Sequence, residues 1–309
     1  MPTPILFDTD MGIDDAVALA LAAGSPEVSI AGVVSVGGNV SLEQATLNAA
    51  KLSHAIHPKH AWPIARGLDQ AQSDLENAAH VFGDDGFGGV VLETPRKKKP
   101  LDFKKLYRQA IEAHGDELVV VAVGPLTNLA AIHKESPELL RRIGRIVVMG
   151  GAVWCKGNVT PHAEFNFYRD PQAADDVLSA GLPVTVVPLD LTRQVPMDES
   201  HAAHLARSGN AVADILAQMV QFSLQRDVEA GQGTFLVHDA LAVGAIIWPE
   251  LFLRSKVALD VVVEGQQAGK CRPTATSDKS RQVSVTISVQ VVAFLENMLE
   301  RLCQEHFVV

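Results

Sequence analysis

The sequence predicts an α/β protein with an open, mostly parallel central sheet and flanking helices. Two observations lead to this class. Short β-branched segments alternate along the chain with segments of helical periodicity, and several of the short segments are continuously apolar, as in residues 118–123. Continuously apolar strands are covered on both faces, which is how parallel strands are buried in α/β folds.

The predicted elements follow the chain in that alternating order. Strands are predicted over residues 5–8, 29–36, 118–123, 145–149, 184–190, 257–263 and 283–289. Helices are predicted over residues 42–56, 126–133, 173–180, 202–224 and 291–306. In the last of these, apolar side chains recur at helical spacing, so one face is expected to pack on the sheet.

Length and composition limit the possible classes of protein. With 309 residues, 47% of them hydrophobic, the chain is long enough for a full α/β core, and we expect one domain over residues 1–309, with a small appendage as the alternative. The net charge of −10 argues against a nucleic-acid partner, and the basic run at residues 96–99 is typical of a solvated loop.

The cysteines and the N-terminal segment predict the cellular environment. Cys155, Cys271 and Cys303 are widely spaced, so neither a disulfide framework nor a zinc site is indicated, and a reducing cytoplasm is expected. No secretory leader and no membrane-spanning stretch is recognisable, which predicts a soluble protein with no membrane partner.

Four aspartates crowd the first predicted strand-to-helix turn: Asp8, Asp10, Asp14 and Asp15. Acids at a helix N-terminus are common because they cap N–H groups and complement the dipole. Four of them in one turn repel one another unless a cation is bound, and carboxylate oxygens favour Ca²⁺ or Mg²⁺. The turn therefore predicts a metal site.

Other polar segments follow later strands, at the sheet edge where open parallel sheets bind their ligands. Asn39 follows the second strand, and a Gly-Pro-Leu-Thr-Asn segment at residues 124–128 follows the third. Met149 ends the next strand and precedes paired glycines. Further polar groups, which could converge on a polyhydroxyl ligand, are Asn158, Glu164, Asn166 and the pair His238-Asp239.

Together these motifs resemble the nucleoside hydrolases, of which the inosine–uridine-preferring type is the best known. The Asp-Thr-Asp-x-Gly-x-Asp-Asp opening, Gly-Pro-Leu-Thr-Asn, Met-Gly-Gly, Ala-Glu-Phe-Asn and His-Asp stand in the order and spacing of that family, over residues 5 to about 243. The resemblance implies a Rossmann-like nucleoside hydrolase fold. It also implies a ribonucleoside substrate, a role in purine or pyrimidine salvage, and assembly as a homodimer or homotetramer.

Site residues follow from the resemblance position by position. It implies that Ca²⁺ is held by Asp10, Asp15, the backbone carbonyl of Val123, and Asp239. It implies that the substrate is bound by Asp14, Asn39, Met149, Asn158, Glu164, Asn166 and Asp239, with Met149 beside the sugar. Cleavage of an N-glycosidic bond passes through an oxocarbenium-like transition state and needs an activated water. Asp10 is the expected general base, and His238 the expected acid for the leaving base.

The base-binding part departs from the family pattern. Many members carry His-Gly at the start of the Gly-rich loop, whereas here Phe82 precedes Gly83; Phe82 can stack on a base but cannot donate a proton. His80 lies two residues earlier, and Arg226 stands where relatives often have an aromatic hydroxyl. The sequence therefore leaves the preference for purines or pyrimidines open.

Two alternatives belong to other classes. An Asp-x-Asp after the first strand also opens phosphohydrolases of the haloacid-dehalogenase type, in which Asp8 would be the nucleophile and Mg²⁺ the metal. The second alternative is a non-catalytic, calcium-dependent riboside-binding protein. It is suggested by Phe82, which stands where many members of the family have a histidine. The reaction product distinguishes the first alternative, and binding without base release would indicate the second.

Overall fold

The computed structural model describes residues 1–57, 62–69, 78–96, 99–226, 233–276 and 278–304. Some predicted segments end outside the described residues: Lys97 and Lys98 of the basic run, and the last two residues of the helix predicted over 291–306. The described residues form the α/β architecture that the sequence predicts, with helices on both faces of a ten-stranded sheet.

Twelve strands occur in the described residues. They are β1 (Thr3–Thr9), β2 (Val28–Ser35), β3 (Ile64–Arg66), β4 (Leu101–Asp102), β5 (Val119–Ala122), β6 (Arg145–Met149), β7 (Val184–Val187), β8 (Pro196–Asp198), β9 (Thr234–Leu236), β10 (Phe252–Val261), β11 (Cys271–Pro273) and β12 (Gln282–Val289). The main sheet has the order β11-β10-β12-β7-β6-β5-β1-β2-β3-β4, and β8 pairs with β9 separately. Strands from β12 to β4 in that order are all parallel, while β10 and β11 are antiparallel additions.

Thirteen α-helices accompany the strands in the part of the chain that is described. They are α1 (Ile13–Ala23), α2 (Leu42–Ile56), α3 (Ala79–Phe82), α4 (Phe103–His114), α5 (Thr127–Glu135), α6 (Pro137–Leu140), α7 (Phe165–Arg169), α8 (Pro171–Leu178), α9 (Leu189–Thr192), α10 (Glu199–Arg207), α11 (Ala211–Leu224), α12 (His238–Ile247) and α13 (Val291–Cys303). Among these described helices, none combines the length and the apolar character needed to cross a membrane.

Two predicted elements differ from the structure for local reasons. The single helix predicted over 202–224 is two helices, because Gly209 has a φ of +77° and Asn210 caps α11 by accepting from the N–H groups of Val212 and Ala213. The strand predicted over 184–190 ends at Val187, because Pro188 lacks an N–H group and the chain then turns into α9.

The two faces of the sheet carry separate cores. Alternate residues of β1 show this division: Ile5 and Phe7 pack with α1, α11, α12 and α13, whereas Leu6 packs with α4 and α5. Successive side chains of β1 point to opposite faces of the sheet, so each of them packs in one of the two cores. Asp8 lies on the same face as Leu6, where it contacts Tyr107, whereas Asp10 lies beyond the end of β1.

The sheet changes direction beside β1. The chain runs outward through β2, β3 and β4, then returns to β5 on the other side of β1 and continues outward through β6 and β7. Such a switch point leaves a crevice at the carboxyl ends of the two central strands, where ligands bind in open α/β sheets. Here those ends lead into Asp10 and Val123.

Candidate active site

A cavity of about 380 Å³ lies at this switch point. Ten of the twelve site residues predicted from the sequence line it: Asp14, Asn39, Phe82, Val123, Met149, Asn158, Glu164, Asn166, His238 and Asp239. The other two, Asp10 and Asp15, are completely buried and do not line the cavity. The predicted residues therefore come together, with two of the acids behind the cavity wall.

The turn after β1 is held in an unusual conformation. Met11 has a φ of +47° and is the only non-glycine residue with positive φ among those described. Its N–H donates to Thr9 Oγ1 over 3.1 Å, and its carbonyl accepts from Asn48 Nδ2 over 3.3 Å. Gly12 N–H donates to Asp15 Oδ2 over 2.8 Å, and Thr9 Oγ1 donates to Asp15 Oδ1. The turn is fixed by its own hydrogen bonds before any ligand is bound.

Asn39 joins this turn to the end of β2. Its backbone N–H donates to Asp10 Oδ2 over 2.7 Å, and its side-chain amide donates to Asp10 Oδ1 over 3.1 Å and to Asp15 Oδ2 over 3.0 Å. Gly38 permits this approach, because a Cβ atom at that position would collide with the Asp10 carboxylate. Asp10 is therefore held in one orientation beside a residue that lines the cavity.

Three buried acids at the cavity form a group that could hold a metal ion. Carboxylate oxygens of Asp14, Asp15 and Asp239 all lie within 4.8 Å of one another. Burial, followed by the charges of Asp14 and Asp15, raises the pKa of Asp239 well above its usual value. Burial and the charge of Asp15 likewise raise the pKa of Asp10. Carboxylates that lie this close together repel one another, and a hard divalent cation bound by their oxygens would offset that repulsion.

A second set of polar groups comes from the loop after β6 and from α7. Glu164 caps α7; its Oε1 accepts from Asn166 N–H and its Oε2 from Gly151 N–H, each over 2.8 Å. Asn166 Nδ2 donates to the carbonyls of Val123, over 2.9 Å, and Met149, over 3.2 Å. These bonds tie the ends of β5 and β6 together beside the acid group.

Three aromatic residues and His238 also line the cavity. The aromatic residues are Phe82, Phe165 and Phe235. His238 Nδ1 lies 2.7 Å from Thr192 Oγ1, which fixes the orientation of the imidazole. Arg226 instead lies over the ring of Phe222, 4.4 Å from its centroid, and is not among the described residues that line the cavity.

Asp8 faces the opposite side of the sheet from the cavity. Tyr107 Oη donates to Asp8 Oδ2 over 2.6 Å, and Asn128 Nδ2 donates to the same oxygen over 3.1 Å. Burial raises the pKa of Asp8 to about 7. A carboxyl group enclosed in this way is not placed as the nucleophile that the phosphohydrolase alternative requires.

Several residues of the site were not predicted from the sequence. Arg193, which lines the cavity, and Thr192, which contacts His238, follow β7 at its carboxyl end, so the rule that identified the other polar residues applies to them too. They were missed because the strand was predicted to run on to residue 190. Phe165 and Phe235 carried no signal, since isolated aromatic residues are usually part of a core.

The chain matches a known family. Residues 5–296 match the family model described as inosine-uridine preferring nucleoside hydrolase. The pyrimidine-specific ribonucleoside hydrolase RihA of Citrobacter koseri is 33% identical over 270 residues, covering 86% of each chain. Uridine nucleosidase 1 of Arabidopsis thaliana is 33% identical over 266 residues, covering 84% of this chain and 79% of that protein.

Similarity in structure extends over the whole chain. The purine-preferring ribonucleoside hydrolase from Gardnerella vaginalis superposes with a TM-score of 0.92 at 30% identity, covering 99% of this chain and 100% of that one. The family model, the relatives in sequence and the superposed structure agree. The chain belongs to the family of inosine-uridine preferring nucleoside hydrolases, enzymes that cleave the N-glycosidic bond of ribonucleosides.

Proposed function

We propose that this enzyme hydrolyses ribonucleosides to free base and ribose in a calcium-dependent reaction, with water activated by Asp10. The observation that carries the proposal is the convergence of ten predicted residues on one cavity above a buried acid group. Acids and amides line this cavity together with the aromatic residues Phe82, Phe165 and Phe235. A sugar and a base need these two environments side by side.

The residues that would hold the cation are Asp10, Asp15, Asp239 and the carbonyl of Val123. Their oxygens are the ligand type that Ca²⁺ prefers. When bound, a divalent cation would offset the repulsion among the buried carboxylates and lower the pKa of a water molecule beside it. The raised pKa values of Asp10 and Asp239 support this role, because in its absence these groups favour binding protons.

Asp10 is the proposed general base. Its carboxylate accepts two hydrogen bonds from Asn39, so its orientation is set before substrate arrives. A carboxylate fixed in this way takes a proton from water without first reorganising. As the bond to the base breaks, positive charge develops on the sugar ring. The acids Asp14, Glu164 and Asp239, which line the cavity, would stabilise that charge.

His238 is the proposed acid for the departing base, and Thr192 orients it. We expect His238→Ala to lower kcat for natural ribonucleosides by about 10²-fold, as the loss of a general acid commonly does. Thr192→Val should cause a smaller loss, because the imidazole remains but its orientation is released. Base release is measured with uridine, inosine and 4-nitrophenyl riboside.

The nitrophenyl compound is the control, because its leaving group departs without a proton. Both variants should cleave it at nearly the wild-type rate. Equal losses on all three substrates would show that His238 acts on something other than the leaving group.

We expect a strong preference for ribosides over 2′-deoxyribosides. Buried carboxylates and amides line the cavity. Those that bind a sugar hydroxyl would be left without a hydrogen-bond partner when the hydroxyl is missing. A site built to bind a hydroxyl group commonly rejects the analogue that lacks it by about 10⁴-fold. Comparing kcat/KM for uridine and 2′-deoxyuridine measures this, and a ratio below about ten would contradict the proposed sugar contacts.

Identification of the products tests the proposed function as a whole. Purine and pyrimidine ribosides both belong in the panel, because the names of the relatives include a pyrimidine-specific and a purine-preferring enzyme. We expect base and ribose in equal amounts from at least one riboside, and no phosphate from phosphomonoesters. Release of phosphate, or tight riboside binding without cleavage, would support the alternatives instead.

We also propose that residues 1–309 act as one catalytic domain, in a homodimer or homotetramer, in a cytoplasmic salvage route. One sheet joins strands from residue 3 to residue 289, which supports a single domain. Cys155, Cys271 and Cys303 are all described and unpaired, which is compatible with a reducing compartment. Sedimentation of the purified protein measures the assembly.

A further inference from the structure

The short helix α9, which follows β7, and the residue after it hold the loop at residues 153–157, which leads to Asn158. Asp190 lies in α9, and its carboxylate accepts from the N–H groups of Val153 and Trp154, each over 2.8 Å. Arg193 follows α9 and donates to the carbonyls of Lys156 and, over 3.0 Å, Gly157. Two side chains from the segment after β7 therefore hold the backbone of the loop that follows the neighbouring strand β6.

The loop leads directly into the cavity wall. Gly157, Asn158 and Val159 line the cavity, and so does Arg193. Gly157 packs closely against the backbone of Ala163, because a Cβ atom at position 157 would collide with it. Asn158 Oδ1 accepts from Phe165 N–H over 3.0 Å, and its backbone N–H donates to the Ala163 carbonyl over 3.1 Å. Asn158 is therefore held on its α7 side, and the loop at residues 153–157 leads into it from the other side.

The geometry of the guanidinium group explains why an arginine stands at this position. Its planar fork donates to the carbonyls of two consecutive residues, and a third contact, at 3.4 Å, reaches Cys155 Sγ. A lysine would supply the same positive charge to the acidic cavity but could not span both carbonyls. We call the hydrogen bonds of Asp190 and Arg193 to the loop at residues 153–157 the clamp. A substitution of Arg193 by lysine therefore separates the effect of the charge from that of the clamp.

We propose that Arg193, together with Asp190, is a positioning residue that holds the loop at residues 153–157 so that Asn158 meets the ribose. This inference rests on the proposed function for its effect on catalysis. The clamp itself rests only on the hydrogen bonds of Asp190 and Arg193. The two parts can fail separately, and the experiment measures both.

The first measurement compares Arg193→Lys and Arg193→Met with the wild type. We expect both variants to lower kcat/KM for ribonucleosides by about 10- to 100-fold, the range set by losing hydrogen bonds to a charged group. The matched control is Arg281→Met, because Arg281 also lies between partners, Asp175 and Asp260, but does not line the cavity. It should stay within about threefold of the wild type. Full activity in Arg193→Lys would overturn the clamp in favour of a charge effect.

The second measurement asks whether Arg193 acts through Asn158. If it does, Arg193→Met should cost less than about threefold once Asn158→Ala is already present, because coupled residues are not additive. Fully additive losses would overturn the inference, since they would mean that Arg193 affects the reaction independently of Asn158.

The third measurement needs no substrate. Hydrogen exchange of the amides of residues 153–157 should become at least tenfold faster in Arg193→Met and in Asp190→Ala, and should not change in Arg281→Met. Unchanged exchange in the Arg193 and Asp190 variants would overturn the clamp. If the wild type released no base while exchange behaved as expected, the proposed function would fail and the clamp would stand.

Discussion

Replacing Asp10 with asparagine is expected to lower kcat by about 10³-fold, with little change in the fold. The substitution keeps the size of the side chain and one oxygen that can accept from Asn39, but it replaces the other oxygen by an amide group that cannot accept, and it removes the group that accepts the proton from water. Circular dichroism checks the fold, and steady-state release of base from uridine or inosine measures the loss.

Asp8 provides the matched control for this variant. It lies two residues earlier, within β1, is buried like Asp10, and contacts Tyr107 and Asn128 on the other side of the sheet. We expect Asp8→Asn to retain kcat within about tenfold, because asparagine can still accept from Tyr107. Equal losses in the two variants would indicate a general disturbance of β1 and would remove the case for Asp10 as base.

Replacing Asp239 with asparagine is expected to stabilise the metal-free protein while abolishing its stabilisation by calcium. Burial and the charges of Asp14 and Asp15 raise the pKa of Asp239, so the ionised carboxylate destabilises the folded state when no cation is bound. Neutralising one of these acids relieves that repulsion. Melting temperatures in chelator, and in excess Ca²⁺, measure both effects.

The gain in stability should depend on pH with a definite sign. A carboxyl group whose pKa is raised on folding favours the folded state at low pH, and that contribution is lost as the pH rises through the raised pKa. The advantage of Asp239→Asn in chelator should therefore be larger at pH 8 than at pH 5. Asp260→Asn is the control, because it removes an ion pair with Arg281 and should give no such gain. A full calcium-dependent rise in the melting temperature of Asp239→Asn would contradict its role as a ligand.

The fold was predictable from the sequence because its central strands are continuously apolar. Residues 119–122 and 145–149 form β5 and β6 as expected, and their carboxyl ends carry site residues. The short strands β3, β4, β8 and β9 were not predicted. Each has two or three residues, too few for a periodic pattern, and each is fixed by pairing with a neighbour rather than by local preference.

The site was predictable where a motif stands at the end of a strand, and unpredictable where tertiary contacts decide. Asn39 and Asn166 follow from motif positions, and both line the cavity. The bond between Thr192 and His238 joins residues 46 positions apart, and no local pattern reports such a distance. The same holds for the hydrogen bonds from Arg193 to Lys156 and Gly157.

The different surroundings of Asp8 and Asp10 do not follow from strand geometry, which sends successive side chains to alternate faces. That rule puts residues 8 and 10 on the same side if β1 continues unbroken. In the structure β1 ends at Thr9, and the chain then turns into the positive φ of Met11, so Asp10 leaves the strand pattern. The turn gives the two aspartates different surroundings.

Calcium titration into the metal-free enzyme tests whether the reaction needs a bound cation. Protein stripped with a chelator is titrated with Ca²⁺ while bound metal and release of base are measured on the same samples. We expect activity to be absent without metal, to rise in proportion to bound Ca²⁺, and to be complete at one ion per chain. Full release of base from protein that holds less than about a tenth of an equivalent of metal would contradict this requirement.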